Sequence, residues 1–325
     1  MKAVWYERFG AADQVLTFGD LPDVAPAPGE VLVRLHASGV NPSDVKLRAG
    51  ARPGARMAFP RIVPHSDGAG VIEAVGQGVD AARIGQRVWI WNGQWQRAQG
   101  TAADLIALPQ DQAVPLPDGP SFAEGACLGI PAMTAWYAVF RDGPVEGKTV
   151  LVTGGAGTVG RYACQMARLG GARVIATVSS KEKARHANVE DWVDYRETDV
   201  IEAVRDLTYG AGVDRIVEVD FAANQAISLG VLKPGGVIAA YASASDMRPA
   251  LDFYPFMFMN VTLHLLIVYR LDPAIRRQGE AQLARWLDDG ALNHAVVPSG
   301  GLGDCAAAHR LVEAGKKLGT VVLAL

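Results

Sequence analysis

The stretch Val150–Gly160, VLVTGGAGTVG, constrains this chain more than any other. An aliphatic and β-branched run, Thr149 to Thr153, ends in the glycines Gly154, Gly155, Gly157 and Gly160. A helix-forming segment, Arg161–Leu169, follows, with Ala163, Met166, Ala167 and Leu169 on its apolar side. A buried strand, a glycine turn and a helix start form the arrangement that holds a dinucleotide pyrophosphate. Glycine lets the backbone approach the phosphates, and the unpaired N–H groups and positive dipole end of the helix stabilise the anion. The spacing is not a strict G-x-G-x-x-G, so the turn alone is also compatible with a strand-to-helix junction that binds nothing.

Its surroundings narrow the choice. Residues 1 to about 125 read as β-rich, with strands expected at Met1–Trp5, Glu30–Ala37, Ala69–Val75, Gln86–Ile90 and Ala103–Leu108, separated by proline and glycine. From about Phe122 the pattern changes to helices rich in alanine and glycine, reaching Val139. Strands then alternate with helices: Val150–Thr153 with helix 158–169, Arg173–Thr177 with 181–187, Trp192–Val193 with 199–207, Asp214–Val219 with 224–232, and Gly236–Ala240 closing the series. Such alternation implies a parallel, doubly wound sheet. Gly235 and Gly236 read as a helix stop before the last of these strands. Helices at 280–289 and 304–314 precede a terminal strand, Thr320–Leu325. This order suggests an insertion. One β-rich domain is built from 1–125 and 275–325, and a nucleotide domain, 126–274, sits between them in sequence, with a cleft expected where strand ends face the other domain.

At 325 residues, with half of them hydrophobic and a formal net charge of −3, the chain reads as an ordinary globular protein. No block of lysine and arginine tracks phosphates, so nucleic acid is not an expected partner. The start, MKAVWYERFG, lacks the pattern of a secretory signal. The apolar stretch Val261–Leu271 is too short to span a bilayer and carries His264 and Arg270. The expected place is the cytoplasm, without membrane attachment. Cys127, Cys164 and Cys305 are scattered and odd in number, so neither a disulfide framework nor a Cys-x-x-Cys zinc site is expected, and all three read as small buried residues.

Several stretches then resemble the medium-chain dehydrogenase/reductase superfamily and, within it, the zinc-free, zeta-crystallin-like quinone oxidoreductases. GVNPSDVKLRAG (Gly39–Gly50), SDGAGVIEAVG (Ser66–Gly76), IGQRVW (Ile84–Trp89), GIPAMTAWYA (Gly129–Ala138), VLVTGGAGTVG, VDYRE (Val193–Glu197) and LKPGGVI (Leu232–Ile238) carry the resemblance nearly end to end. It implies an α/β fold in which a Rossmann-type doubly wound parallel sheet is inserted in a β-rich, GroES-like catalytic domain. It also implies NADPH as cofactor, a homodimer involving the stretch 261–271, and zinc-independent hydride transfer to a small quinone. The zinc alcohol dehydrogenases of the same superfamily have a cysteine where this chain has Asn41 and a histidine where it has Ser66, so no metal site is expected. His65, one position off, reads as a surface or cleft residue.

The cofactor residues follow by the same resemblance. The phosphate turn supplies Gly154, Ala156, Gly157, Thr158, Val159 and Gly160. Ser179, Lys183 and Tyr195 would surround the ribose phosphate, and Asn41, Thr134, Tyr241 and Ser243 the nicotinamide. The sequence supports this choice, because the second strand ends in Ser179-Ser180-Lys181 with no carboxylate to accept from the ribose hydroxyls of NAD. Asp44 is expected to fix its loop. The expected catalytic group is Asn41 with Lys46 and Arg52, two cations at positions where many relatives carry tyrosines and where a developing oxyanion would be stabilised. Trp89, Trp91 and Trp95 share parity, so they either pack in the core or stack on a flat substrate. Reduction of alkenals, enones or enoyl thioesters on the same scaffold is the alternative activity. An NADPH-binding structural or regulatory protein without turnover is a third reading.

Overall fold

The computed structural model describes residues 1–51 and 54–325. The chain divides into two compact units, Met1–Ile130 with Pro273–Leu325, and Pro131–Asp272.

The first unit begins with a small antiparallel pair, β1 (Lys2–Trp5) and β2 (Thr17–Asp20). Its main sheet uses β3 (Glu30–Val40), β4 (Asp67–Val75), β5 (Arg87–Ile90), β6 (Leu105–Pro109) and β7 (Ala113–Pro115). The second unit follows in sequence with β8 (Thr149–Val152), β9 (Arg173–Val178), β10 (Asp191–Asp194), β11 (Val213–Glu218), β12 (Leu232–Ala240) and β13 (Thr262–Leu265). The chain then returns to the first unit with β14 (Val296–Pro298) and β15 (Thr320–Ala324).

In the first unit the eleven-residue β3 is the hub. One edge pairs antiparallel with β4 over most of its length. The other edge is shared: residues 30–34 pair with β6 and residues 37–40 pair with β15, both antiparallel. The last strand of the chain is thereby built into the sheet started by its first residues. Val31, Val33, Ile72, Val88 and Ile106 form the core beneath it, each essentially without solvent contact.

The second unit carries a six-stranded sheet in the order β10-β9-β8-β11-β12-β13, parallel at every pairing. Connections run outward from β8 to β9 and β10 on one side, then cross to β11, β12 and β13 on the other. The order therefore reverses between β8 and β11, and loops leaving the carboxyl ends of these two strands diverge to opposite faces. β8 reads as a nearly continuous apolar run because helices cover both faces of a parallel sheet, whereas β11, VDRIVE, keeps only Val213, Ile216 and Val217 apolar. Arg215 on β11 is buried, donating to the Ala138 carbonyl at 2.7 Å and pairing with Asp142, so it ties helix Met133–Phe140 to the sheet.

Some local expectations need correction. Leu169 is 41% exposed, and helix Thr158–Leu169 buries Tyr162, Ala163, Cys164, Met166 and Ala167 instead, because its last residue has rotated past the sheet. Gly235 and Gly236 do not stop the preceding helix, which ends at Val231. They lie within β12, where Gly235 has φ of 75° and the pairing with β11 shifts register. The helix expected at 280–289 starts at Pro273, whose fixed φ and missing N–H suit the first helical turn. Among the described residues no helix is long and apolar enough to cross a membrane.

Leu151 on β8 is fully buried in the second unit's core with Ile175, Ile216 and Ile238. Leu151→Ala is expected to cost about 2–5 kcal/mol of stability, measured by urea denaturation, through lost transfer energy and a residual cavity.

Candidate active site

In the second unit the glycine turn sits at the carboxyl end of β8, beside the strand-order reversal. Gly154 has φ of 63° and its N–H donates to Thr177 Oγ1 at 3.1 Å, while its carbonyl accepts from Gly157 N–H at 2.9 Å. Helix Thr158–Leu169 starts immediately afterwards, with Gly157 at its N-cap. The glycines have different jobs. A Cβ on Gly160 would meet the Gly154 carbonyl oxygen at 2.4 Å and one on Gly155 would meet Ala176 Cβ at 2.7 Å, so both permit close packing of the turn on its own sheet. Gly157 is exposed, and a Cβ there would approach only the Gly154 oxygen, at 3.2 Å. That open side faces outward over the positive end of the helix, as an anion cradle requires. Ala156 is buried, and Thr158 and Val159 occupy the first helical turn.

Ser179, Lys183 and Tyr195 come together one strand further on. Val178 of β9 lies opposite Asp194 of β10, and Tyr195 N–H donates to the Val178 carbonyl at 3.0 Å, so Ser179 and Tyr195 leave adjacent strands side by side. Ser180 caps helix Lys181–Ala187 by accepting from Lys183 N–H at 3.2 Å. One turn in, Lys183 Nζ donates to Ser179 Oγ at 2.8 Å. The Tyr195 side chain is 49% exposed. The result is a cation, a hydroxyl and a phenol at the strand ends, with no carboxylate on β9's end.

Tyr241 and Ser243 follow β12. Tyr241 N–H donates to the Glu218 carbonyl, and burial pushes its phenol above the ordinary range. Ser243 Oγ accepts from Ala222 N–H at 3.3 Å and donates to the Asp246 carbonyl at 2.6 Å, so it braces its own loop. Thr134 is buried on helix Met133–Phe140. Glu218, at the end of β11, escapes sequence reasoning. It is fully buried, Oε1 accepts from Asn224 Nδ2 at 2.8 Å, Oε2 has no partner among the described residues, and burial raises its pKa. An acidic residue directly after the apolar pair Ile216–Val217 was its only signal.

In the first unit Asn41 caps helix Pro42–Ala49 and is buried. Its Nδ2 donates to Asp67 Oδ2 at 2.8 Å, and its backbone N–H donates to Asp44 Oδ2 at 2.7 Å. Asp67 also accepts from Ile130 N–H at 2.9 Å. Burial pushes the Asp67 carboxyl well above the usual range, against the pull of Asn41 and Ile130. Burial likewise raises Asp44, to about 7. Asp67 is a second group missed from sequence; a carboxylate inside the small-residue run SDGAG was its signal. Lys46 is exposed on the same helix, and Arg52 lies outside the described residues. Trp89 is core, paired in β5 across from Ala69 and Val114. Trp91 is buried beneath the Arg276 guanidinium, 4.6 Å from its ring centre, and Trp95 is half-buried. His65 is neither a surface nor a cleft residue: it is fully buried.

The donor chemistry does not fit a catalytic zinc. The side chain at 41 is an amide whose NH2 is committed to Asp67, and at 66 there is a buried serine. The neighbouring thiol, Cys127, donates to the Ala123 carbonyl at 3.3 Å. The glycine turn and the Ser179–Lys183–Tyr195 group do fit a phosphorylated dinucleotide, with the turn holding the pyrophosphate and Lys183 and Ser179 available to a further phosphate.

Two family models match the chain. That for the alcohol dehydrogenase GroES-like domain covers residues 27–118, and that for zinc-binding dehydrogenases covers residues 158–288. The rat protein named quinone oxidoreductase is 33% identical over 255 residues, 77% of this chain and 76% of that protein. Among solved structures, an NAD-dependent alcohol dehydrogenase superposes with a TM-score of 0.89 at 30% identity, covering 100% of both chains. The mycobacterial protein Rv1454c, complexed with NADPH, does so with a TM-score of 0.87 at 31% identity, again covering 100% of both.

Asp44 gives a pH signature. Its carboxyl keeps its proton in the folded chain up to about 7, whereas an aspartate in the unfolded chain releases it near the ordinary 3.8. The associated stability is complete below the lower value and is lost as pH rises through the higher one. Asp44→Asn, which preserves an oxygen for the Asn41 N–H, is expected to gain stability relative to the wild type progressively from pH 4 to pH 7, measured by denaturant midpoints. A difference independent of pH would remove Asp44 as its source.

Proposed function

The chain belongs to the medium-chain dehydrogenase/reductase superfamily, and we propose that it is an NADPH-dependent quinone oxidoreductase that works without a catalytic zinc. The observation that carries the cofactor choice is Lys183 donating to Ser179 where an NAD site would place a carboxylate. A 2′-phosphate would take the place of the serine oxygen as the acceptor for the ammonium, with Tyr195 beside it. The likeness to a structure complexed with NADPH supports the same choice.

The donor set supports an acceptor that needs no metal activation. An alkoxide needs a Lewis acid, and the amide of Asn41 and the hydroxyl of Ser66 supply none. A quinone needs no such activation. Bound NADPH supplies the hydride, a proton from water completes the hydroquinone, and NADP+ remains. The protein's part is to orient and to stabilise charge. The Asp44 and Asp67 hydrogen bonds hold Asn41 in one geometry, and Lys46 with Arg52 is the proposed stabiliser of the oxyanion that develops on the quinone. The name of the rat relative supports a quinone. The reading includes a homodimer, supported by the exposed apolar side chains Phe253, Tyr254, Phe258 and Leu265 around β13, an edge strand.

Steady-state oxidation of NADPH by the purified chain, with a para-quinone, a 2-alkenal and an enoyl thioester as separate acceptors, tests the reading. Quinone turnover that persists in a chelator is expected. Preference for the alkenal or thioester would replace the substrate class, and tight NADPH binding without turnover on any acceptor would point to a binding protein.

The cofactor assignment has its own test. Lys183→Glu is expected to weaken NADPH by about 10- to 100-fold, the equivalent of one charge-assisted hydrogen bond of about 1.5–3 kcal/mol, while leaving NADH nearly unchanged. Equal losses for the two nucleotides in a binding titration would overturn the 2′-phosphate assignment.

A further inference from the structure

Away from the groups described above, the first unit contains a second cluster of chemically capable side chains. Cys305 and His309 are four residues apart on helix Cys305–Glu313, so they share a face. That face meets His65, which lies just before β4. His65 Nε2 is 2.9 Å from His309 Nε2 and 3.8 Å from Cys305 Sγ. The three potential donor atoms lie within 4.8 Å of one another, and all three residues are buried. We propose that His65, Cys305 and His309 form a binding site for a single thiophilic d10 cation, zinc(II) or copper(I), which clamps the helix Cys305–Glu313 to the start of β4.

Proton accounting around His65 points the same way. Thr101 Oγ1 donates to the Asp67 carbonyl at 2.6 Å, so its hydroxyl hydrogen is committed. The 2.9 Å contact between Thr101 Oγ1 and Ser38 Oγ must then take its hydrogen from Ser38. Ser38 Oγ, having given its hydrogen away, can only accept from His65 Nδ1, 2.9 Å away. His65 is therefore the Nδ1–H tautomer, and its Nε2 lone pair faces Cys305 and His309. An imidazole N–H fixed by an outer hydroxyl, with the opposite nitrogen presented inward, is how protein metal sites orient a histidine ligand. With a lone pair on His65 Nε2, the 2.9 Å contact takes its hydrogen from His309 Nε2. A bound ion would replace that hydrogen, with the proton moving to His309 Nδ1, which has no partner among the described residues.

The backbone is consistent with a ligand clamp. His65 has φ of 77°, in the left-handed region, where a side chain other than glycine is held only if its surroundings over-determine it. The spacing needs little change. Two nitrogens bound tetrahedrally at about 2.0–2.1 Å stand roughly 3.3 Å apart, so the pair at 2.9 Å would open by a few tenths of an ångström. Two imidazoles and a thiolate favour soft d10 ions over magnesium or calcium. Binding releases the Cys305 thiol proton to solvent, so that with copper(I) the site is neutral and with zinc(II) it carries one positive charge. The site does not involve Asn41 or Ser66, so a bound ion here would be structural and would leave the zinc-free hydride transfer as proposed.

The test is metal analysis of the full chain, produced in zinc- or copper-supplemented medium, with X-ray absorption at both metal edges to tell the two ions apart. About one equivalent is expected, in a shell of one sulfur at about 2.3 Å and two nitrogens. Less than about a tenth of an equivalent of either ion, or a shell without sulfur, would overturn the proposal. Cys305→Ser and His65→Gly are each expected to lose the ion, and glycine accepts the φ of residue 65, so the second variant separates loss of a ligand from loss of the fold. Retention of the ion by both variants would also overturn it. Melting temperature adds a readout independent of activity: added metal should raise it in the wild type and leave it unchanged in His65→Gly.

Discussion

The first unit is arranged around a carboxylate that has no route to water. Asp67 is completely buried; the Asn41 amide and the Ile130 N–H donate to its side chain and offset part of the cost of that burial, while the Thr101 hydroxyl donates to its main-chain carbonyl. Losing a donor to a buried acceptor is costly, which is why such groups fix their surroundings so firmly. Two glycines make room for it. A Cβ on Gly129 would stand 2.3 Å from Asp67 Oδ1, and one on Gly39 would stand 3.2 Å from Asp67 Cβ. The loop bearing Asn41, the turn at Ile130 and, through Thr101 and Ser38, the ring of His65 all take their positions from this one residue.

The second unit works by a different constraint, the direction of parallel strands. Every strand of its sheet delivers its carboxyl end to the same edge, so groups far apart in sequence arrive together without long-range contacts being needed to recruit them. The glycine turn after β8, Ser179 after β9, Tyr195 after β10 and Glu218 at the end of β11 are four instances of one geometric rule. Selectivity between nicotinamide cofactors then becomes a matter of which side chain the second strand carries at its last position.

Where periodicity and turn chemistry dominate, the sequence was readable. The βα alternation and the glycine turn specify five of the six strands of the second sheet, because a buried parallel strand leaves an apolar run bounded by breakers. The series does not close at Gly236–Ala240 as expected, since β13 adds to its edge. Tertiary context decided the rest. Trp89 and its neighbours could have been core or cleft by parity, and the pairing of β5 on both sides places Trp89 in the core. Gly235 and Gly236 look like a helix stop locally, yet the sheet absorbs them as a register shift. His65 was misread because its partners, Cys305 and His309, lie some 240 positions away in the chain. No local pattern joins them, although a cysteine and a histidine spaced by four on one helix were a signal in plain view.

The way β3 divides one edge between β6 and β15 has a consequence for how the chain matures. As synthesis proceeds, the second unit's strands all emerge before β15, and each pairs with partners from one contiguous stretch, so that unit has what it needs to form early. The first unit does not. Residues 37–40 of β3 wait with an open edge until the C-terminal strand arrives, across a sequence separation of nearly the whole chain, and contacts of that range are the slow ones. During this interval the unpaired edge is a hazard for pairing with other chains. The first unit, which holds both the Asp67 knot and the buried cysteine–histidine cluster, is therefore the part whose maturation sets the pace.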